Sequence, residues 1–455
     1  MRVTRPTAGV TAWVLAATIT VGLIAAPVTP AVVAHAAVGP RVVLAPGVTY
    51  ERIKDPDGPW VLHVVRFDPT QAATIDLAAG GATMGAYSRP SDIGRAHGAL
   101  VAINGDFGLN SGHPLHPFAM DGSLMGRGIQ NGANFAVAQD GSASFTGPDQ
   151  LMLRGAHIRA SNPFDIAEWN SGKPAPGEIV AFTRYGGRVE PAPGNACSAQ
   201  LKPDGAMRWD KRGTGVTRRY VVDKRKCQPA ALAARRRAVV LVSNRKGTGA
   251  TTIKGMALGD QVRLSWSFGW THVMDSIGGM PHIVDEGVNV AGDCASYFCD
   301  RNPRTGVGVT ADGTVLLIVV DGRSANSVGM TLIQFGQAFL SLGAVEALNL
   351  DGGGSSAMWI KGSGVVSVPS DSSGERPVVN ALLVLPGADT GERTMSGPLG
   401  APALTTVDNS FAGLLAGTDP GSTGGLADAW VAGDLGMSSA PPSIARLARI
   451  FRLRG

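Results

Sequence analysis

The sequence has no C-x-x-C pair and only four cysteines, Cys197, Cys227, Cys294 and Cys299. The cysteine-ligated zinc sites built on that spacing are therefore excluded. After the first 36 residues no apolar stretch approaches the roughly 20 residues that span a bilayer. Strong net charge is also missing: 40 Lys and Arg face 35 Asp and Glu, a formal +5, and so mild a balance does not imply a nucleic-acid partner. Charged residues make up 16% of the chain and apolar residues 44%, as in an ordinary globular protein. With 455 residues, the chain can build one large core or two smaller ones. Glycine, at 62 residues, and proline, at 29, are plentiful and predict many tight turns and loops.

The N-terminus reads as a secretory signal, residues 1–36. Arg2 and Arg5 precede an apolar run over 12–26, and Ala34-His35-Ala36 places small residues where a signal peptidase reads. An uncleaved anchor is the alternative. The signal carries no acid, so its removal takes the formal charge from +5 to +3. An exported chain with an even cysteine count favours disulfides. Of the three possible pairings we expect Cys197–Cys227 and Cys294–Cys299.

Residues 37–90 alternate polar and apolar in short runs and form an N-terminal β-rich region. A main domain is expected over 91–387, interrupted at about 190–237 by a basic, cysteine-bounded insertion. Arg208, Lys211, Arg212, Arg218, Arg219, Lys224, Arg225 and Lys226 crowd that stretch. It reads either as a solvated loop or as a patch that holds an anionic wall polymer. Residues 388–455 have a low-complexity composition typical of disorder. Within them only 443–453 could form a helix, either a frayed terminus or a basic face for an anionic membrane.

The stretch 301–360 is the most informative. Asp312-Gly313 is a hairpin signal that leads into the core strand 315–320, which ends at Asp321-Gly322-Arg323. Thr331 can cap a helix that stops at Gly343. A second strand then ends at Asp351-Gly352-Gly353-Gly354-Ser355-Ser356. Strand, helix and strand with short links predict a βαβ unit with co-directional strands, and a fold of the α+β class: a mixed twisted sheet with packed helices. Asp321 and Asp351 then stand at one sheet edge, where open sheets bind ligands. Their backbones would be about 5 Å apart, or about 10 Å with one strand between. Counting back from the turn sets Arg304 opposite Asp321. Asp106, in Asn104-Gly105-Asp106, joins the cluster if its strand joins the same sheet in the same direction. The triglycine admits a ligand closely, and its N–H groups could form an anion nest beside the serines.

At these residues the chain resembles the phosphodiester glycosidase family. The resemblance rests on the run 101–107 (Val-Ala-Ile-Asn-Gly-Asp-Phe), the run 304–308 (Arg-Thr-Gly-Val-Gly), the run 319–323 (Val-Val-Asp-Gly-Arg) and the run 349–356 (Asn-Leu-Asp-Gly-Gly-Gly-Ser-Ser), in the family's order and spacing. The segment 277–287 is similar to the family's Gly-Gly-x-Pro-x-Leu-Val-x-x-Gly pattern. The similarity covers roughly 85–385, minus the basic stretch. Departures are Gly108 after Phe107, Gly306 where the family often has Ala, and Met280 where it often has Gly.

The resemblance implies hydrolysis of a sugar-1-phosphodiester. That chemistry needs carboxylates to stabilise an oxocarbenium-like state and cations or N–H groups to hold the departing phosphate. The candidate catalytic set is Asp351, Asp321 and Asp106. The substrate-binding set is Asn104, Arg304, Arg323, Gly352, Gly353, Gly354 and Ser355, with Arg304 clamping phosphate in bidentate fashion. His113 and His116 lie nearby but read as loop packing. No cofactor is required, although carboxylates beside a phosphate can recruit calcium or magnesium. The expected partner is a phosphorylated glycan or sugar phosphodiester in the envelope or outside the cell, with no nucleic acid and no spanning segment after signal cleavage. A glycosidase of a non-phosphorylated wall polysaccharide and a non-catalytic envelope-binding protein are the alternatives. Oligomeric state is not set by the sequence.

Overall fold

The computed structural model describes residues 37–387, apart from residues 72 and 131 and the segments 147–150, 187–195, 229–231, 233 and 235–236. The signal-type segment 1–36 and the low-complexity segment 388–455, with its basic stretch 443–453, lie outside the described residues.

The described residues form twenty-eight strands in four sheets and three α-helices. The helices, Pro90–Ala96, Thr248–Gly255 and Leu332–Ser341, have 7, 8 and 10 residues, too little to make a helical layer. The expected α+β class is thus corrected: the protein is mostly β, with curled sheets packed largely on one another. The reason is visible in strand Val315–Val320, buried at every position. Val315, Leu317 and Val319 enter a core shared by three sheets, together with Ile103, Phe135, Leu348 and Leu382. Leu316, Ile318 and Val320 pack beneath Phe335 and Phe339 of helix Leu332–Ser341. A helix covers only this second face, and sheets cover the first.

The first nine-stranded sheet positions the site. Strands Val315–Val320 and Ala344–Asn349 are each antiparallel to Arg304–Thr310, which lies between them. They are therefore co-directional with one strand interposed. The helix joining them starts at a reciprocal cap: Thr331 Oγ1 accepts from the Gln334 amide, and Gln334 Oε1 accepts from the Thr331 amide. The register differs from expectation by one residue, since Arg304 pairs with Val320. The hairpin loop is the cause. Thr310 bonds Thr314 across a three-residue loop whose last member, Gly313, has φ +87°. A two-residue turn would have shifted the count.

Strand Val101–Asn104 belongs to a different, five-stranded sheet, between Met358–Ile360 and Asn380–Pro386. Strands from residues 37–90 complete both sheets: Trp60–Phe67 pairs with Val315–Val320, and Ala73–Ala79 with Asn380–Pro386. The basic segment is built into another nine-stranded sheet. There Ala196–Pro203 lies between Val239–Asn244 and Gly215–Gln228, and its cross-strand pair Cys197–Cys227 is a disulfide. Cys294–Cys299 is the second disulfide, so both pairings are those expected.

Candidate active site

Where Arg304–Thr310 begins and Ala344–Asn349 ends, a cleft opens. It is lined by Phe107, Tyr297, Phe298, Asn302, Arg304, Arg323, Asp351, Gly352, Gly353, Gly354 and Arg376. Asp351 stands two residues past its strand and is 5% exposed. Burial is the main cause that raises its pKa from 3.8 to about 6. The Ser355 hydroxyl, the Arg376 charge and the Gly352 amide oppose the rise, and the Asp106 charge adds to it. The result is a carboxylate that is ionised at neutral pH yet poised near it.

Three guanidinium groups share the cleft with this one carboxylate. Arg323 takes a left-handed backbone, φ +57°, which costs a non-glycine residue about 1–2 kcal/mol. Its Nη2 donates to Asn302 Oδ1 at 3.1 Å and its Nη1 to Ser370 Oγ at 3.5 Å. Arg376 is held in two bonds by Asp371, at 2.8 and 3.1 Å. Arg304 is 1% exposed. Its Nε donates to the Met330 carbonyl at 2.9 Å, and its Nη2 to those of Phe298 and Asp300 at 2.7 Å each. Burial lowers its pKa to about 10, against the pull of Asp300, and the Arg323 charge lowers it further. Arg304 thus clasps the disulfide-closed loop 294–299 and the start of the helix segment, besides lining the cleft. Phe298 packs under its guanidinium, 5.6 Å from Cζ to ring centre.

The triglycine turn is shaped by these neighbours. A side chain on Gly354 would collide with Arg376 and with the Asp371 carboxylate, and Gly353 has φ +60° with Arg323 beside it. Most of the turn's N–H groups are spent inside the protein. Gly352 donates to Asp351 Oδ1, Gly353 to the Pro303 carbonyl, Ser355 to that of Gly352 and Ser356 to that of Gly353. Positive charge in the cleft therefore comes from the guanidinium groups rather than from an amide nest.

The other sequence candidates lie behind the cleft. Asn104 is fully buried. Its Nδ2 donates to the Asp351 carbonyl at 2.7 Å, and its Oδ1 accepts from Thr305 Oγ1 at 2.7 Å and the Ala357 amide at 3.1 Å. The Asp351 amide in turn donates to the Gly105 carbonyl, so two sheets are sewn together here. Asp106 reaches the region from the five-stranded sheet. Its Oδ1 lies 2.7 Å from His116 Nδ1 and its Oδ2 accepts from the His116 amide at 2.8 Å. Asp321 does not meet Arg304. Its Oδ2 is 3.2 Å from His63 Nε2, its Oδ1 accepts from the Val368 amide at 2.8 Å, and it is absent from the cleft lining. His113 bonds Ser111 and the Asn170 carbonyl.

Tyr297, Asn302, Asp371 and Arg376 were not found from the sequence. Tyr297 lies in the loop that the Cys294–Cys299 bridge closes, and that bridge was the one available signal. Burial raises its phenol pKa, which the Arg323 charge counteracts. Arg376 and Asp371 sit in a Ser-, Gly- and Pro-rich run without periodicity, which offers no signal.

Comparison with known proteins places the site in a family context. Residues 204–385 match the family model described as phosphodiester glycosidase, so the segment carrying Arg304, Arg323, Asp351 and Arg376 has the signature of that family of glycosidases. In sequence, the chain is 42% identical over 94 residues to the SPbeta prophage-derived uncharacterized protein YomE of Bacillus subtilis (strain 168), which is 20% of this chain and 14% of that protein. In structure, a hypothetical protein from Synechocystis aligns with a TM-score of 0.57 at 20% identity, over 74% of this chain and 62% of that one. A protein from Burkholderia pseudomallei K96243 aligns at 0.57 and 19% identity, over 77% and 97%. At these identities the two structures share the fold.

Proposed function

We propose that this protein is an exported hydrolase that cleaves a sugar-1-phosphodiester in envelope or extracellular glycans. One observation carries the reading: a single buried carboxylate, Asp351, faces a cleft whose other charged walls are Arg304, Arg323 and Arg376. The family match over 204–385 supports the reaction class. The two disulfides fit an oxidising compartment, and no helix among the described residues is long and apolar enough to cross a membrane.

In the proposed reaction the anomeric C–O bond breaks and its electron pair leaves on the phosphate oxygen. Arg323 and Arg376 neutralise that growing charge. A phosphate monoester leaves readily, so strong acid assistance is dispensable. Asp351 acts at the anomeric carbon, as nucleophile or as the base that activates water, and water supplies the new hydroxyl. Asn104 positions Asp351 through its carbonyl. Asp106 and Asp321 act from behind the cleft, by charge and by bracing. The Tyr297 ring and Phe107 flank the sugar.

The test compares release of free sugar from a sugar-1-phosphodiester with release from a matched alkyl glycoside. The reading expects a strong preference for the phosphodiester, lost in Arg323→Ala. Equal rates on the two substrates, or wall binding with no sugar released from either, would overturn it.

A further inference from the structure

One strand in from the edge of the first sheet, on the strand that leads to Asp351 and its neighbour His282–Asp285, three side chains meet that the reaction does not use. His282, Asp285 and Glu346 each bring a potential ligand atom, all within 4.8 Å of one another. Three residues apart in a regular strand, His282 and Asp285 would face opposite ways. A bulge prevents this. His282 pairs with Leu348 but Val284 with Ala347, so an extra residue sits between them. Both Ile283 and Val284 turn into the core under helix Leu332–Ser341, and the residues on either side of them emerge together on the other face. A tight turn follows at Glu286 and Gly287, φ +48° and +75°, and the Glu286 amide holds Glu346 Oε1 at 3.2 Å.

The arrangement is unfavourable as it stands. The pairing of Val284 with Ala347 brings Asp285 alongside Glu346, two acids across a strand pair, which repel. The His282 Nε2 atom is shielded from solvent, although 27% of the side chain is exposed, and lies 2.9 Å from Glu346 Oε2, an ion-pair distance, yet makes no hydrogen bond. A neutral imidazole nitrogen and a carboxylate oxygen so placed, close together but misaligned for donation, suit a common third partner. Ligands about 2.0–2.2 Å from one zinc ion are separated from each other by roughly 3 Å. Phe145, stacked on the His282 ring with centroids 5.7 Å apart, fixes its plane.

We propose that His282, Asp285 and Glu346 bind a divalent transition-metal ion of the zinc class, which clips the strand His282–Asp285 to the strand carrying Glu346. One imidazole and two carboxylates select such an ion over calcium or magnesium, and three protein ligands leave the fourth tetrahedral position to water.

The experiment uses tag-free protein stripped with a chelator and titrated with zinc against a chromophoric competitor, alongside thermal unfolding. One ion per chain is expected, with Tm rising by roughly 4 °C at zinc 100-fold above Kd. His282→Gln and Glu346→Gln, each near-isosteric and checked for native circular dichroism, should weaken binding at least tenfold and abolish the Tm rise. Absence of stoichiometric zinc in the wild type, unchanged affinity in both variants, or equal competition by calcium would each overturn the assignment.

Discussion

The side-chain amide of Asn104 donates to the main-chain carbonyl of Asp351 at 2.7 Å. Asn104 ends a strand of the five-stranded sheet and Asp351 follows a strand of the first nine-stranded sheet. One bond thus fixes the proposed catalytic carboxylate relative to both. Replacing Asn104 with Ala leaves the Asp351 carbonyl, the Thr305 hydroxyl and the Ala357 amide without this partner. The loss should destabilise the fold by about 2–3 kcal/mol and lower kcat at least tenfold, read by denaturant unfolding and steady-state kinetics. A fully active, equally stable variant would remove Asn104 from its positioning role.

Asp351→Asn should reduce turnover by roughly 10³-fold or more while making the fold more stable at neutral pH. The native pKa, about 6, lies above the ordinary carboxylate value of 3.8. The native state therefore holds the proton more tightly than the unfolded chain. The carboxyl is no burden below pH 3.8; it weakens the fold progressively as pH rises through about 6, by about 3 kcal/mol at most. Asn carries no such charge. The Tm advantage of the variant over wild type should be small at pH 4 and full at pH 7.5.

The same titration should appear in catalysis. If Asp351 acts in its ionised form, kcat/KM rises with pH through about 6 and levels above it. An acidic limb centred near 4 instead would mean that burial does not govern the reacting carboxyl.

Arg304 and Arg323 should separate stability from binding. Arg304→Ala removes three hydrogen bonds to main-chain carbonyls, leaves a cavity where a buried side chain stood, and should cost about 3 kcal/mol or more of stability. Arg323 stands at the cleft wall on a strained backbone, so Arg323→Ala should leave Tm within a few degrees but raise KM for a phosphodiester by roughly 10–100-fold. Equal loss of stability in both variants would contradict this division.

Cys197→Ser with Cys227→Ser removes a bridge across 30 residues. The chain-entropy relation puts the loss at about 3–4 kcal/mol. Because the bridge lies in the other nine-stranded sheet, kcat at 25 °C should be unchanged. A parallel loss of kcat would show that this sheet supports the cleft.

Local chemistry was legible in the sequence. Thr331 and Gly343 mark the helix they bound, because a cap hydroxyl and a left-handed glycine act within one turn. The disulfide partners, the co-directional strands and the placing of Asp351 beside the triglycine turn could be read for the same reason. The fold class was misread because a continuous apolar run such as 315–320 shows that both faces are buried, not whether a helix or another sheet buries each.

What the sequence determined by itself is therefore set by near neighbours: caps, turns, strand ends and the residue types that chemistry at an anomeric phosphate would need. Only the tertiary structure decided which charges meet. It drew Asp321 away to His63, enclosed Arg304 among carbonyls, and brought Arg376 and Tyr297 to the cleft from segments with no pattern. It also turned His282 and Asp285 to one side through a bulge. Such encounters depend on sheet order and on single-residue shifts of register, and those follow from the packing of the whole core rather than from any local run of residues.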